Sequence, residues 1–338
     1  MASAGLSEVD TERGLLASGL GARAASEGVV PVVDMRLPDT EVAAAMMDAA
    51  ATVGFFSLVG HGIPQELVDK AFAASRDFFA QPQEAKAAQA PFAREHNAGY
   101  EYFAQVRPAT GTADQKESLQ VTAREGTMDA RWPAEPADFE ATARSLMDRA
   151  HALAQRILAL LEPLACPHLV PGTLTKAHSL WGPAGQTTLR FLHYPPVEDP
   201  DSMPPNYWRA GPHTDWCCVT LLFQRLGEAG LECAANPKRG AGPENGWLKV
   251  DPVEGGICVN IGDMLMRWSN GRLLSNLHRV RMPSGDEARP PRSRYSIAFF
   301  AQADRDAVIE SEGHATITAG DYILGRVTSN FAAAKPQA

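Results

Sequence analysis

The chain has 338 residues, 45% of them hydrophobic, with 31 basic against 40 acidic side chains and a formal net charge of −9. This composition indicates a globular protein with a substantial core. The acidic balance disfavours nucleic acid or an anionic membrane as a partner, because either calls for a basic face. No apolar run approaches the ~18 residues that a membrane span requires.

The cysteines indicate a reducing compartment. They are odd in number, contain no C-x-x-C pair and stand at Cys166, Cys217, Cys218, Cys233 and Cys258. Buried thiols are therefore expected rather than disulfides or a zinc site. The first ten residues lack the basic and apolar regions of a signal peptide, so we expect a cytoplasmic protein.

The N-terminal part of the chain predicts a mixture of short strands and helices. Residues 1–28, rich in Ala, Ser and Gly, predict a loose extension. Alternating strands and helices are then predicted over 29–34, 39–52, 54–59 and from 64 onwards. Periodicity is poor over 81–129, where only short strands at 99–103 and 116–121 are predicted. A long stretch of this kind often lines or covers a functional site.

The C-terminal part predicts a β barrel or jelly roll braced by a helix. Helical periodicity over 136–164 favours a helix on the outside of a sheet. Six short strands, separated by Gly, Pro and Asn turns, are predicted over 187–194, 217–223, 247–250, 257–261, 277–281 and 294–301. Long loops are expected at 195–212 and 234–246, and a helix is expected at about 318–331.

One short motif carries metal-binding chemistry. In Gly211-Pro-His213-Thr-Asp215, His213 and Asp215 are two residues apart, so an extended strand would point both side chains to one face. With His278 from another strand, they form the facial triad of two imidazoles and a carboxylate that suits iron(II). Zinc prefers more ligands in a tighter arrangement. The alternative is a pair of strand-end histidines that bind no metal.

A second motif suits a carboxylate. Arg294 and Ser296 share a strand face by the same spacing, and a guanidinium fork beside a hydroxyl matches an anionic oxygen pair. The alternative is an ordinary Arg-x-Ser on the surface, but the apolar run that follows, up to Phe300, argues for a position inside the barrel.

The order of these motifs resembles a known family. Cys258-Val-Asn-Ile-Gly-Asp263, Trp268-Ser-Asn-Gly271, His278-Arg-Val280 and Arg294-Tyr-Ser296 follow one another as in the double-stranded β-helix core of iron(II)/2-oxoglutarate-dependent oxygenases. The N-terminal half resembles the isopenicillin-N-synthase-like branch, through Val30-Pro-Val-Val-Asp34 and Gly54–Pro64. The resemblance covers roughly residues 29 to 331.

The resemblance implies a mainly β fold with flanking helices around a jelly-roll core. It divides the chain into an extension, an N-terminal dioxygenase-type region, a helix-braced oxygenase domain and a tail, over 1–28, 29–135, 136–331 and 332–338. It implies iron(II), 2-oxoglutarate and dioxygen as cofactor and cosubstrates, with no catalytic side chain beyond the metal centre. The expected metal ligands are His213, Asp215 and His278.

The resemblance also assigns residues to the two organic ligands. Those expected to bind 2-oxoglutarate are Arg294, Ser296 and Tyr194. Leu192 stands where the family often has asparagine, so one cosubstrate hydrogen bond is expected to be absent or replaced by an apolar substrate contact. The candidates for contact with the substrate are Phe300, Leu192, Trp216 and Tyr100.

The implied reaction is hydroxylation, desaturation or ring modification of a small molecule in specialised metabolism, with release of succinate and CO2. Two alternatives stand beside it. One is an iron oxidase of the same branch that does not use 2-oxoglutarate, with Arg294 and Ser296 holding the substrate. The other is a binding protein without catalytic activity. The motifs specify neither the organic substrate nor the oligomeric state.

Overall fold

The computed structural model of the protein describes residues 30–106, 112–199, 207–235, 246–284 and 289–333, together with Glu8, Gly14, Ala25–Ser26 and residues 203–204. Most of the extension predicted over 1–28 and of the tail over 332–338 therefore lies outside the described residues. The five cysteines are all buried and unpaired, as the sequence predicted.

The strands are short, and most of them follow the long helix. In chain order, β1 to β15 span Ala25–Ser26, Val32–Asp34, Phe55–Val59, Gly99–Tyr102, Glu117–Thr122, Thr188–Tyr194, Ala210–His213, Val219–Gln224, Leu231–Ala234, Trp247–Lys249, Ile257–Ile261, His278–Val280, Arg294–Ala301, Val308–Ile309 and Ile317–Thr318. The six strands predicted for the C-terminal part are all present, and β13 has the predicted bounds.

The helices flank these strands. In chain order, α1 to α7 span Asp39–Thr52, Gln65–Phe79, Gln83–Gln89, Phe139–Ala165, Thr173–Lys176, Asp263–Trp268 and Ala319–Ala333. Helices α3, α5 and α6 were not predicted, because four to seven residues make too few turns for a periodic pattern. Gly262 and Asp263, from the first motif of the family resemblance, stand where α6 begins.

Two sheets face each other. The smaller has the strand order β1-β10-β9-β12-β7, and the larger has the order β2-β3-β11-β8-β13-β6-β5-β4. This is the predicted jelly-roll architecture of a mainly β protein. Strands β2 to β5, which precede the expected boundary at 135, extend the larger sheet, and the division into domains stays a prediction.

Successive side chains of the larger sheet point to opposite faces, and each face packs in a different apolar cluster. In β13, Ile297 and Phe299 belong to the main core with the buried sides of α1, α2 and α4. Ala298 and Phe300 belong to a second cluster on the opposite face, between the sheets. The helices therefore brace one face of the sheet and leave the other to line an interior. No helix in the described ranges has the length and apolar character to cross a membrane.

Candidate metal centre

Two histidines meet where the smaller sheet ends. His213 is the last residue of β7, and it pairs directly with His278, the first residue of β12. The centroids of the two imidazole rings are 4.3 Å apart, and the edge of Phe55 packs on His278 at 5.4 Å between ring centroids. The pairing of β7 with β12 therefore brings together two histidines that are far apart in sequence.

Asp215 reaches the histidines from outside the strand. The expectation that His213 and Asp215 share one strand face is wrong, because β7 ends at His213. The Asp263 backbone N–H donates to the Asp215 carbonyl over 2.7 Å and fixes the chain there. A side chain at Gly262 would place its Cβ 2.1 Å from the Cys217 carbonyl oxygen, so this close packing requires glycine.

The three side chains direct one ligand atom each toward a common point. Oδ1 of Asp215 lies 3.9 Å from Nε2 of His213 and 3.7 Å from Nε2 of His278, and the ligand atoms all lie within 4.8 Å of one another. The His213 Nδ1–H donates to the Gly211 carbonyl over 2.7 Å, which leaves the lone pair on Nε2 toward the site.

The other oxygen of Asp215 is held by two donors. The Thr220 hydroxyl donates to Oδ2 over 2.6 Å, and the Asn260 amide donates to the same oxygen over 2.8 Å. Both donors are buried and come from adjacent strands, β8 and β11. The sequence contained both residues, but no spacing rule connected them with Asp215. Together they leave Oδ1 as the oxygen that points to the histidines.

This donor set fits iron(II). Two neutral imidazoles and one carboxylate from one side leave the remaining coordination positions for other ligands, the arrangement of non-haem iron oxygenases. In the part of the chain that the structure describes, it is the one group of three such side chains close enough to share an ion.

Arg294 lies on the same interior face, and within the described ranges it forms no salt bridge with a carboxylate. Its Nε donates to the Glu228 carbonyl over 3.1 Å, Nη2 to the Gln224 amide oxygen over 3.1 Å, and Nη1 to the Ser296 hydroxyl over 3.4 Å. The guanidinium packs over the Tyr194 ring at 4.9 Å. Arg294 is only 2% exposed, and no carboxylate among the described residues forms a salt bridge with it. A buried cation of this kind matches an incoming carboxylate.

Sequence reasoning missed a second cation beside this group. Arg209, also buried, lies close enough to Arg294 that burial and the neighbouring positive charge lower the pKa of Arg209 to about 10. Burial raises the pKa of the Glu228 carboxyl, which receives the Tyr295 backbone N–H over 2.6 Å. The positive charges of Arg225, Arg294 and Arg209 act in the opposite direction on Glu228, which is the acidic group beside these arginines. The only signal for Arg209 in the sequence was its position shortly before His213.

A single cavity of about 1090 Å³ joins the histidines, Asp215, Arg294 and Ser296. Cross-strand pairing sets Tyr194 opposite Arg294 and Leu192 opposite Ser296. Of the other residues expected to contact ligands, Leu192, Phe300 and Trp216 also line the cavity. The cavity is far larger than a metal with one small diacid needs, so it has room for a second organic molecule.

Tyr100 borders the cavity, but its side chain is committed elsewhere. Its hydroxyl donates to a carboxylate oxygen of Glu117, and its ring packs in the main core. The same Glu117 accepts from Lys86 Nζ over 2.6 Å and from His193 Nδ1 over 2.6 Å. This network is buried and structural, and it accounts for His193 without a ligand role. The expectation that Tyr100 contacts the substrate gains no support from these contacts.

Comparison with family models matches both halves of the chain. Residues 30–138 match the N-terminal domain model described as non-haem dioxygenase in morphine synthesis, and residues 185–303 match the 2OG-Fe(II) oxygenase superfamily. The second match contains the three converging residues together with Arg294 and Ser296.

Individual proteins are similar over most of the chain. A 2-oxoglutarate-Fe(II) type oxidoreductase, hxnY of Emericella nidulans, is 32% identical over 310 residues, which are 83% of this chain and 82% of that protein. Validamycin A dioxygenase of Streptomyces hygroscopicus subsp. limoneus is 31% identical over 329 residues, 88% of this chain and 85% of that protein. A full-length Neurospora crassa protein, solved in complex with alpha-KG and 5-formyluracil, has a TM-score of 0.74 and 27% identity, covering 91% of this chain and 98% of that one.

Proposed function

The chain belongs to the iron(II)/2-oxoglutarate-dependent oxygenase superfamily, and on that premise we propose that His213, Asp215 and His278 bind its iron(II), while Arg294, Ser296 and Tyr194 bind its 2-oxoglutarate. Members of the superfamily use iron(II), 2-oxoglutarate and dioxygen to oxidise small molecules and release succinate and CO2, and this chain is an oxidoreductase of that class. The observation that supports the residue assignment best is the convergence of two imidazole nitrogens and one carboxylate oxygen in the cavity that contains Arg294.

The metal and its cosubstrates, when bound, supply the oxidising power that breaks a C–H bond of the substrate. The residues of the chain supply position and a dry environment. Thr220 and Asn260 fix the rotation of the Asp215 carboxylate, so that Oδ2 stays hydrogen-bonded and Oδ1 would be available to hold the metal. Gly211 accepts from Nδ1 of His213 and sets its ring orientation.

At the other end of the cosubstrate site, the Arg294 fork and the Ser296 hydroxyl are placed to receive a carboxylate in a buried surrounding, where charge-assisted hydrogen bonds are strong. Leu192 and Phe300 present apolar surface on the same interior face. They exclude water from the region between the two ligands and offer contact to an apolar part of the substrate. Hydroxylation is the proposed outcome of the reaction, with desaturation or ring modification as its variants, in specialised metabolism.

The proposal includes a cytoplasmic location and no nucleic acid or membrane partner. It is supported by the net charge of −9 and by five cysteines that are all buried as free thiols.

The experiment that tests the assignment measures metal and cosubstrate binding directly. Protein reconstituted without oxygen should bind about one iron(II), and adding 2-oxoglutarate should produce a weak visible charge-transfer band. His213→Ala, Asp215→Ala and His278→Ala should each lose the band and the turnover while keeping a folded circular dichroism spectrum. His168→Ala is the matched control, because this exposed histidine lies outside the cavity.

Full turnover by the Asp215→Ala protein in chloride-free buffer would contradict the metal assignment. The absence of chloride matters, because a halide ion can occupy the position of a removed carboxylate.

A further inference from the structure

Two further guanidinium groups, of Arg124 and Arg305, line the cavity at the strand ends remote from Arg294. Strand β6 lies between β5 and β13 and is antiparallel to both. The end of β5, the start of β6 and the end of β13 therefore lie side by side at the same end of the sheet. Arg124 follows β5 and Arg305 follows β13, and both line the cavity. Arg294 begins β13, and the seven steps of ~3.3 Å from Arg294 to Ala301 separate the two ends of this strand by about 23 Å.

Neither guanidinium forms an ion pair in the part of the chain that the structure describes; Arg124 is half-buried, and Arg305 is exposed at the rim of the cavity. The one hydrogen-bond contact of the Arg124 side chain is between Nη1 and Nδ1 of His96, at 3.2 Å, and its buried Nε has no hydrogen-bond partner. Burial lowers the pKa of Arg124, and the positive charge of Arg305, whose side chain lines the same cavity, lowers it further. A buried donor without an acceptor, beside a like charge, is a costly arrangement that an anion would relieve.

The charge of the cavity has the opposite sign to that of the chain. Its lining includes six arginine and lysine side chains against four carboxylates, whereas the whole chain has a formal net charge of −9. One of the four carboxylates is Asp215, which faces the histidines, and the lining Lys116 is already paired with Asp114 at 2.7 Å. The excess of positive charge is therefore carried by arginines.

The wall between the two cationic ends is partly apolar. Leu192 and Phe300 lie on the interior face, and the Arg190 guanidinium packs over the Phe300 ring at 5.7 Å. Thr220, whose hydroxyl donates to Asp215, is the cross-strand partner of Phe300 in the pairing of β8 with β13. Phe300 therefore lies at the same height along the strands as the residue that holds Asp215. A molecule anchored at Arg124 and Arg305 would lie with its body beside Phe300 and the metal ligands, clear of the group bound to Arg294.

We propose that Arg124 and Arg305 bind the anionic group of the organic substrate, and that the substrate is therefore an organic acid with an apolar body. The inference rests on the proposed function, because Arg294 is then occupied by 2-oxoglutarate and a second anion site is left for the substrate. Two guanidinium groups fit a single carboxylate or sulfonate through several charge-assisted hydrogen bonds.

The test compares two fluorescent probes of almost the same shape. 1-Anilinonaphthalene-8-sulfonate carries an anionic group on an apolar body, and N-phenyl-1-naphthylamine is the same body without the charge. Both are titrated into the protein loaded with manganese(II) and saturating 2-oxoglutarate, which occupies the Arg294 site. Replacement of both arginines, R124Q/R305Q, should weaken binding of the sulfonate by about 10- to 100-fold and leave the neutral probe within about twofold.

The control variant is R149Q, which removes one positive charge from the exposed side of α4, outside the cavity, and should bind both probes as the wild type does. Equal sulfonate affinity in R124Q/R305Q and R149Q would overturn the proposal. So would a parallel loss of both probes, which would assign the pair to folding, or the absence of saturable sulfonate binding to the wild type.

The same preparations distinguish this inference from the proposed function. Aromatic carboxylic acids should stimulate succinate release in the iron(II) protein more than their primary amides do, and R124Q/R305Q should abolish that difference. If the amides are equally effective, the inference fails while the oxygenase assignment stands. If 2-oxoglutarate gives no charge-transfer band in the wild type, the residue assignment fails, whereas the probe comparison needs no iron and remains decisive.

Discussion

Thr220 is expected to control the affinity of the site for iron(II), although it does not touch the metal in our assignment. Its hydroxyl donates to Asp215 Oδ2 over 2.6 Å, and both side chains are buried. Thr220→Val keeps the shape and removes this donor, leaving the Asn260 amide as the remaining hydrogen bond to that oxygen. A freer carboxylate points its other oxygen at the metal for a smaller fraction of the time.

The magnitude follows from the strength of the hydrogen bond that is lost. A hydrogen bond to a charged group contributes about 1.5–3 kcal/mol, and residues that orient metal ligands typically affect metal affinity by about 10- to 100-fold. Because Asn260 still holds Oδ2, we expect the lower part of that range, about tenfold. Thr220→Val combined with Asn260→Ala should approach about 100-fold.

The assay is an anaerobic titration with iron(II) in competition with a chromophoric chelator. Thr220→Ser retains the hydroxyl and is the matched control, which should bind iron(II) nearly as tightly as the wild type. Thermal unfolding of the metal-free proteins separates an effect on metal binding from an effect on stability. Equal iron(II) affinities for Thr220→Val and Thr220→Ser, with both folded, would refute the reasoning.

Three further predictions concern the cavity and the core. Arg294→Ala should weaken 2-oxoglutarate binding by roughly 2–5 kcal/mol, and Arg294→Lys should restore binding only in part, as measured by titration of the charge-transfer band. Product formation at full rate without any 2-oxo acid would refute the assignment. Phe300→Ala and Leu192→Ala should change substrate preference or product ratio, and unchanged kinetics for both would place these side chains away from the substrate. Each truncation costs up to about 3–5 kcal/mol of stability, so the unfolding of both variants is measured first. Lys86→Met should destabilise the protein by about 3–5 kcal/mol in chemical denaturation, because it leaves the Glu117 carboxylate buried without its cation, and a loss below about 1 kcal/mol would contradict the role of this pair.

The sequence by itself determined the local structure of the barrel and the chemistry it presents. Alternation of apolar and polar residues predicted β13 with its bounds, and with them the interior face that carries Arg294, Ser296 and Phe300. Helical periodicity predicted α4 to within a few residues. Strand and helix patterns repeat every 2 and 3.6 residues, so a short stretch of sequence is enough to show them. Motif order then indicated the family, which the comparisons confirmed.

Tertiary structure decided which side chains meet. Asp215 approaches the histidines because its backbone is held by Asp263, and not because it shares a strand with His213. Arg124 and Arg305 are 181 positions apart and line one cavity only because the end of β5, the start of β6 and the end of β13 lie side by side in the sheet. Such proximity depends on the order of strands in the sheet, and strand order is set by the packing of the whole chain, which no local pattern of residues records.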